Sequence, residues 1–257
     1  MNSRFFFYFC LILCLSIVYL PPIYLLLISF NENIQPGIPS LGDLSLKWYF
    51  KMLSQKRLIT SLNQSIKVAS ITCIISSVVA FFSALAYLEY RNFRSKWFLF
   101  IIFSMFVPGV IQGLSLSVIF KIVEIKPSAM TIVGGHLLWT LPFAFTIILT
   151  NLSNINKNII LASRDLGANY LITLRKIVIP LIFPGIISSF IFSFLLSFNE
   201  YNRAVYLVGR YNTFPIYMFG SMNAGTSPTV YAMGGSTLIL SFVAIFFIIY
   251  LTKKKNK

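Results

Sequence analysis

The stretch LASRDLGANYLITLRKIVIPLIFPGI, from Leu161 to Ile186, decides how the fold is interpreted, because it starts as a polar segment between hydrophobic ones. Its first half carries four charged side chains, which are Arg164, Asp165, Arg175 and Lys176. Charged side chains are expensive at membrane depth. The stretch therefore predicts a connection outside the bilayer between two membrane helices.

The order of residues in this stretch predicts two short helices joined by a glycine corner. An amphipathic helical turn leads to Gly167, which suits a helix C-terminus because glycine adopts left-handed backbone angles without a Cβ penalty. A second helix is expected from about Asn169, with Leu171, Leu174 and Val178 on one side and the basic pair on the other. Such a hairpin at a membrane surface suits the docking of a soluble partner protein.

Composition places the chain in the membrane class. Of its 257 residues, 57% are hydrophobic and 11% are charged, whereas soluble domains carry about 25% charged residues. The net charge of +15 is attributed to basic residues that flank membrane helices and set topology. Membrane lipid is therefore an expected partner and nucleic acid is not, because no basic patch lies on a polar domain.

The three cysteines predict neither a metal site nor a redox role. Cys10, Cys14 and Cys73 all lie inside apolar runs, and none has the spacing of a metal site. We expect them to be small buried hydrophobic residues.

Six hydrophobic segments are long enough to cross a bilayer, and they predict an all-α membrane protein with one transmembrane domain over residues 1–257. The expected helices lie at about residues 5–30, 65–88, 97–120, 129–150, 177–198 and 230–251. Prolines inside or beside these helices are expected to break or bend them; they are Pro21, Pro22, Pro108, Pro142, Pro180 and Pro184. A short helix near Trp48 is expected at the membrane interface.

The first segment has an alternative interpretation as a signal anchor that is later cleaved. It is too long for a signal-peptide core, and no small-residue cleavage site follows it. A membrane helix is the preferred interpretation.

Basic residues predict the orientation of the chain. Six crossings place both termini on one side, and twelve of the 21 basic residues fall on short segments of that side. These twelve are Arg4, Arg91, Arg94, Lys96, Lys157, Arg164, Arg175, Lys176, Lys253, Lys254, Lys255 and Lys257. The positive-inside rule then places both termini and residues 157–176 in the cytoplasm.

The central stretch resembles the EAA signature of ABC importer permeases, the inner-membrane subunits of binding-protein-dependent transport systems. The match consists of Ala162-Ser163-Arg164-Asp165-Leu166-Gly167-Ala168, followed by Ile179-Pro180-Leu181 and Pro184-Gly185-Ile186. The resemblance implies a type I importer permease fold, in which residues 157–176 form a cytoplasmic coupling helix that sits in a groove of an ATPase subunit. Its contact residues would be Ala162, Ser163, Arg164, Asp165, Leu166, Gly167 and Ala168.

Three positions depart from the signature. Leu161 replaces its glutamate, Ser163 replaces its second alanine, and Leu174 stands where an aromatic residue is usual. Loss of the glutamate removes one polar contact expected at the ATPase interface.

Within this family the chain is similar to the second permease subunit of spermidine/putrescine-type importers. The similarity rests on Asn31, Leu46-Lys47-Trp48-Tyr49, Leu62-Asn63-Gln64-Ser65, Val107-Pro108-Gly109, Ser197-Phe198-Asn199-Glu200-Tyr201, Phe214-Pro215-Ile216-Tyr217 and Ser227-Pro228. It implies a bacterial inner-membrane subunit that moves a polyamine. The alternatives are another small solute, such as an opine, a phosphonate or an amino-acid-like compound.

The resemblance also implies the partners and their cofactors. They are ATPase subunits that carry ATP and magnesium, a second permease subunit that is a sister or an identical copy, and a periplasmic solute-binding protein. The chain has no GxxxxGK[ST] loop, so no nucleotide is expected on it. It also lacks a constellation of catalytic residues for a membrane enzyme or sensor, and it lacks the repeat expected of an ion-coupled secondary transporter.

Polar residues at membrane depth are candidates for a translocation path, because their burial in lipid is costly. The main candidates are Gln112, Ser115, His136, Asn199 and Glu200, with Ser117, Thr140, Ser193 and Ser197 nearby. The alternative for the serines is a hydrogen bond to their own backbone, and for His136 it is helix packing. Glu200 is the strongest candidate, since an acid near the outer mouth attracts a cation, although an ion pair with Arg203 is its alternative.

Overall fold

The computed structural model describes residues 3–225 and 227–254. Within these ranges the chain is helical apart from its connections, and the one β-bridge found there joins Asn31 and Leu44. The prediction of an all-α protein is confirmed. The α-helices are α1 (Ser3–Ser29), α2 (Lys47–Leu53), α3 (Lys56–Glu89), α4 (Arg94–Ile102), α5 (Gly109–Ile122), α6 (Ala129–Ser153), α7 (Lys157–Asp165), α8 (Tyr170–Thr173), α9 (Ile179–Phe198), α10 (Ala204–Leu207), α11 (Phe214–Asn223) and α12 (Pro228–Lys254).

Five helical stretches of the described chain are long and apolar enough to cross a membrane. They are Phe6–Ser29, Lys56–Glu89, Ala129–Ser153, Tyr170–Phe198 and Pro228–Tyr250. A sixth crossing exists if the pair Arg91–Phe106 and Gly109–Ile122, which is bent by 100°, forms one span. Lys255 and Lys257, which contributed to the predicted orientation, lie outside the described residues.

The segment expected at residues 97–120 is broken at Pro108, as predicted. Val107 is extended, at φ −85° and ψ 125°, as expected for a residue whose backbone crowds a following proline ring. Proline also lacks the N–H that would bond the carbonyl of Ser104, four residues earlier. The side-chain amide of Gln112 donates to that carbonyl instead, at 2.5 Å. The side chain of Gln112, which lies beyond the bend, thus replaces the hydrogen bond that Pro108 cannot donate.

The helix predicted from residue 65 begins at Lys56. The first turns of this helix were not predicted because they carry polar side chains. One of these side chains is paired, since the hydroxyl of Ser65 accepts a hydrogen bond from the backbone N–H of Phe214 at 2.7 Å. Asn63 and Lys67 are exposed. The polar residues of this segment therefore belong to α3 although they do not extend its apolar run.

The described residues form two compact units. One comprises the described residues up to Ile59 together with Tyr217–Ile245. In this unit the hydroxyls of Ser29 and Tyr49 lie 2.7 Å apart. Gly235 packs against both, because a Cβ at this position would come within 2.5 Å of the Tyr49 hydroxyl and 2.6 Å of the Ser29 hydroxyl.

The other unit comprises Thr60–Ile216 together with the described residues from Phe246 onward. Its main apolar core is formed where α3, α4, α6 and α9 meet, and consists of Ala80, Ala84, Ile101, Ala144, Phe145, Ile148, Leu152, Val178 and Ile182. Cys73 is buried in this unit, as predicted, but Cys10 is only partly buried and Cys14 is exposed. α1, which carries both, turns most of its apolar side chains outward.

Candidate functional site

The central stretch folds as a helix, a glycine corner and a second helix, as predicted. α7 ends at Asp165, and Gly167 follows with φ +80°. The N–H of Gly167 donates to the carbonyl of Arg164 at 2.9 Å, and the N–H of Ala168 donates to that of Ser163 at 3.0 Å. These two bonds are the pattern of a Schellman cap, which satisfies the last carbonyls of a helix.

The second arm of this hairpin begins with a side-chain cap and is tied to the first arm. The side chain of Asn169 accepts from the N–H of Ile172 at 2.9 Å, which fixes the start of α8. The hydroxyls of Ser163 and Thr173 are buried and lie 3.0 Å apart. The two arms are therefore held at a defined angle by polar contacts as well as by the turn.

The corner presents an exposed apolar tip. The side chain of Leu166 is 89% exposed, with Leu161 at 54% and Tyr170 at 52% beside it. Of the apolar residues expected on one side of the second helix, Val178 is buried, whereas Leu171 is 62% exposed. Thr173 takes the buried position on that turn, where its hydroxyl meets Ser163. The basic pair Arg175 and Lys176 is exposed, as expected.

The hairpin continues into a membrane span without a break. Leu174–Val178 forms a π-helical turn, in which the N–H of Ile179 donates to the carbonyl of Leu174. Helix extends from Tyr170 to Phe198, a stretch of 29 residues. Pro180 and Pro184 were expected to kink this entry; both lie inside the helical stretch, and the irregular turn precedes them.

Among the candidate path residues, Gln112 and Glu200 come together on Arg203. The guanidinium of Arg203 lies 3.0 Å from the Glu200 carboxylate, and its Nε donates to Oε1 of Gln112 at 2.6 Å. It also lies 4.9 Å from the ring centre of Trp139. The ion pair that was the alternative for Glu200 is thus present, with both side chains at most 7% exposed.

His136 lies in the same unit and contacts a second candidate. Its Nδ1 is 2.7 Å from the hydroxyl of Ser197. In the described part of the chain its Nε2 has no hydrogen-bond partner, nor do the buried hydroxyls of Thr140 and Ser193. These groups form a polar seam between α6 and α9.

The remaining candidates are not part of this arrangement. Ser115 and Asn199 are exposed, and the amide of Asn199 donates to the carbonyl of Leu195 in its own helix. Ser117 donates to the carbonyl of Leu114. Trp139 was not among the predicted residues, and Arg203 was considered only as a partner for Glu200. The position of Arg203, three residues beyond an acid in a chain with few charges, could have identified it.

No group of three or more histidine, cysteine, aspartate or glutamate residues lies close enough to hold a metal ion in the described part of the chain.

The comparisons with known proteins decide the family. A family model described as "Binding-protein-dependent transport system inner membrane component" matches residues 76–257. The chain belongs to this family. The permease therefore resides in the inner membrane as a multi-pass subunit of a transport system, and it is not itself an enzyme.

Similar proteins cover nearly the whole permease. The spermidine/putrescine transport system permease protein PotC of Haemophilus influenzae is 28% identical over 244 residues, which are 93% of each chain. PotC of Escherichia coli K12 is 28% identical over 245 residues, covering 93% of this chain and 91% of its own. The putrescine transport system permease protein PotI of the same strain is 28% identical over 244 residues, covering 91% and 85%.

Solved structures share the fold. One is the crystal structure of a bacterial alginate ABC transporter in complex with alginate pentasaccharide-bound periplasmic protein, with a TM-score of 0.67, 12% identity and coverage of 96% of this chain and 92% of its own. Another is an amino acid ABC transporter with histidines, with a TM-score of 0.62, 13% identity and coverage of 80% and 98%. The resemblance to ABC importer permeases is confirmed, and the ion-coupled secondary transporter is set aside.

Proposed function

We propose that the permease imports a polyamine, such as spermidine or putrescine, as one transmembrane subunit of an ATP-driven ABC importer. The polyamine assignment is supported by the names of the similar proteins, which are spermidine/putrescine or putrescine permeases. A buried carboxylate, Glu200, supplies the charge that a cationic solute requires. Another small solute, such as an opine, a phosphonate or an amino-acid-like compound, is the alternative within the same mechanism.

The hairpin of residues 157–176 is the coupling element of this proposal. The observation that carries it is the direct continuation of the hairpin into a 29-residue helical stretch that crosses the membrane. A displacement of the corner is then a displacement of the membrane helix itself. Ala162, Ser163, Arg164, Asp165, Leu166, Gly167 and Ala168 form the proposed contact region with the ATPase subunit, in which buried Ser163 positions the others.

The exposed tip has the chemistry of a protein-binding surface. Leu166 projects from the corner between the exposed charged side chains of Arg164 and Asp165 and the exposed ring of Tyr170. An apolar centre with polar surroundings is typical of interfaces. Leu161, which replaces the glutamate of the signature, adds apolar area beside this tip. Docking of the ATPase subunit therefore depends more on the burial of apolar side chains, because Leu161 cannot make the polar contact of the signature glutamate.

The remaining partners follow from the same proposal. ATP and magnesium bind to the ATPase subunits, a second permease subunit completes the path, and a periplasmic binding protein delivers the solute. A sister subunit is favoured over an identical copy. Both termini and the hairpin lie in the cytoplasm, in accordance with the distribution of basic residues on short segments.

Cysteine labelling tests the coupling role. In a variant whose three native cysteines are replaced by alanine, Leu166→Cys is expected to react with a membrane-impermeant maleimide in inverted vesicles and to crosslink to the ATPase subunit. Ile122→Cys, 75% exposed at the end of α5, serves as the control on the opposite side. Reaction of Leu166→Cys from outside intact spheroplasts would contradict the proposal.

Uptake by the reconstituted transporter tests the solute. Proteoliposomes that contain the permease with its partner subunits and binding protein are expected to accumulate labelled putrescine or spermidine only with ATP inside. Equal accumulation with and without ATP would overturn the ATP-driven mechanism. ATP-dependent uptake of a different solute in place of polyamine would overturn the polyamine assignment alone.

A further inference from the structure

The side chain of Arg203 occupies a site built from three kinds of group. Glu200 supplies a carboxylate oxygen at 3.0 Å, Gln112 supplies an amide oxygen at 2.6 Å, and Trp139 supplies an aromatic face at 4.9 Å. Glu200 and Arg203 are 7% and 3% exposed. We call Glu200, Gln112 and Trp139 the cation cage.

The chemistry of the cation cage is not particular to arginine. A carboxylate and an amide oxygen accept hydrogen bonds from any ammonium group, and the face of a tryptophan ring attracts ammonium as well as guanidinium. Arginine in this turn is therefore equivalent to a bound organic cation. A solute with primary ammonium groups satisfies the same three partners.

Two glycines make space for Arg203, one beside its guanidinium and one beside its backbone. A Cβ on Gly109 would come within 2.8 Å of a terminal nitrogen of Arg203, and one on Gly113 within 2.9 Å of its Cα. Both glycines belong to α5, beyond the bend at Pro108. The bend, the glycines and Gln112 thus form one wall of the cation cage, while Trp139 on α6 forms another.

A polar seam continues from the cation cage along α6 and α9. The N–H of Glu200 donates to the carbonyl of Ser197, and the hydroxyl of Ser197 contacts His136 at 2.7 Å. The contacts His136–Ser197 and Phe143–Phe192 are those of antiparallel helices, and Thr140 and Ser193 each lie one turn from the first of these contacts. Their hydroxyls and Nε2 of His136 are buried and have no hydrogen-bond partner within the described chain. Buried polar groups without partners indicate a place where a polar ligand is accommodated.

We propose that the cation cage is a cation-binding subsite of the translocation path, filled by Arg203 in this structure and by an ammonium group of the solute during transport. This inference rests on the proposed import of a polyamine. Arg203 lies in the turn between α9 and α10 rather than inside a long helix, so its side chain moves with a short segment. Arg203 acts as an internal substitute that the solute displaces.

The exchange keeps Glu200 compensated throughout. Removal of one partner from a buried ion pair is strongly destabilising, because it leaves an isolated charge at low dielectric. Replacement of one cation by another avoids that state. Arg203 is therefore displaced more readily by a cation than by a neutral solute. Entry into the cation cage thus depends on the charge of the solute.

Chemical rescue tests the proposal on the complete purified transporter. Arg203→Gln removes the internal cation, and putrescine at millimolar concentration is expected to raise the thermal unfolding midpoint of this variant by about 2–4 °C. Wild type and Arg203→Lys, whose cation cages are filled, are expected to show no such rise. Arg210→Gln, a matched change at an exposed arginine, and the double variant Arg203→Gln/Glu200→Gln are the controls. A rise in Arg203→Gln no greater than that in Arg210→Gln would overturn the proposal.

A second measurement covers the case in which Arg203→Gln fails to fold. Glu200→Asp keeps the charge but withdraws the carboxylate, and it is expected to raise the KM of polyamine uptake about tenfold or more. An unchanged KM would overturn the cation cage. The rescue is measured without transport, so it tests the cation cage even if the wild type imports no polyamine, a result that would contradict only the proposed solute.

Discussion

The hydroxyl groups of Ser163 and Thr173 lie 3.0 Å apart in a buried position and join the two arms of the central hairpin. Thr173→Val removes one hydroxyl at nearly constant volume and breaks this contact, while Ser163 keeps its hydrogen bond to the carbonyl of Ile160. We expect a loss of about 1 kcal/mol in hairpin stability and fewer solute molecules imported per ATP hydrolysed. The measurement is the ratio of uptake to ATPase rate in proteoliposomes.

Ser117→Ala is the control for this change, because that hydroxyl donates to its own helix at Leu114. The ratio is expected to remain at the wild-type value there. Equal ratios for Thr173→Val and Ser117→Ala would show that the arms do not need this contact.

Gly167 is the position at which backbone conformation alone decides the outcome. Its φ is +80°, and a Cβ there would meet no atom within 4 Å. Valine is strained in this conformation by roughly 1–3 kcal/mol, whereas asparagine tolerates it. We expect Gly167→Val to uncouple ATP hydrolysis from uptake and Gly167→Asn to retain most coupling. Comparable coupling in both variants would exclude the corner conformation as the cause.

Gly113 and Gly134 are expected to respond in opposite ways to alanine. A Cβ on Gly113 would meet the backbone of Arg203 at 2.9 Å, whereas one on Gly134 would make an ordinary contact with Phe120 at 3.5 Å. Gly113→Ala is expected to lower stability by about 1–3 kcal/mol through overpacking. Gly134→Ala is expected to be neutral or to add up to about 1 kcal/mol through helix propensity. Thermal unfolding in detergent measures both, and a stable Gly113→Ala would contradict the close packing.

The two ion pairs found in the described chain differ in burial. Glu200 and Arg203 are 7% and 4% exposed at their side chains, whereas Glu32 and Lys47 are 51% and 54% exposed. Glu200→Gln is expected to cost about 3–5 kcal/mol, because it leaves a buried guanidinium unpaired. Glu32→Gln is expected to cost at most about 1 kcal/mol. Similar losses of unfolding free energy in the two variants would contradict the expected cost of leaving the buried guanidinium of Arg203 unpaired.

The pKa of Tyr49 predicts a pH effect at alkaline pH. Burial raises this pKa above its usual value of 10.0, opposed by the hydrogen bond to Ser29. The folded state therefore holds the phenolic proton more tightly than the unfolded state. The resulting stability is fully present below about pH 10 and is lost as pH rises through the folded pKa. The difference between the stability profiles of wild type and Tyr49→Phe checks this, and parallel profiles above pH 10 would contradict it.

Hydropathy was sufficient to predict the membrane helices because each is a long apolar run, but it failed where structure depends on contacts between distant residues. The start of α3 was missed because its first turns carry polar and basic side chains, and the partner of Ser65, the N–H of Phe214, lies 149 residues away. The position of the break at Pro108 was predictable from the loss of one N–H. Its angle of 100° was not, because the angle depends on contacts between the two sides of the bend, such as the hydrogen bond from Gln112 to the carbonyl of Ser104.

Only part of the candidate site was predictable from the sequence. The glycine corner and the Glu200–Arg203 pair are local patterns, so residue spacing was enough to anticipate both. Gln112 reaches Arg203 across 91 residues of chain, and Trp139 approaches it from a third helix. No period or spacing in one sequence encodes such a meeting, so the cation cage became visible only in three dimensions.

The π-helical turn at Leu174–Val178 sets the rotational phase between the corner and the span beyond it. A helix advances by about 100° per residue, and the wider turn accommodates one residue more than an α-helical turn. Closing that turn to α-helical geometry with the same residues would rotate the tip of Leu166 by roughly a quarter of a turn relative to α9. The direction in which the tip points therefore depends on the wider turn.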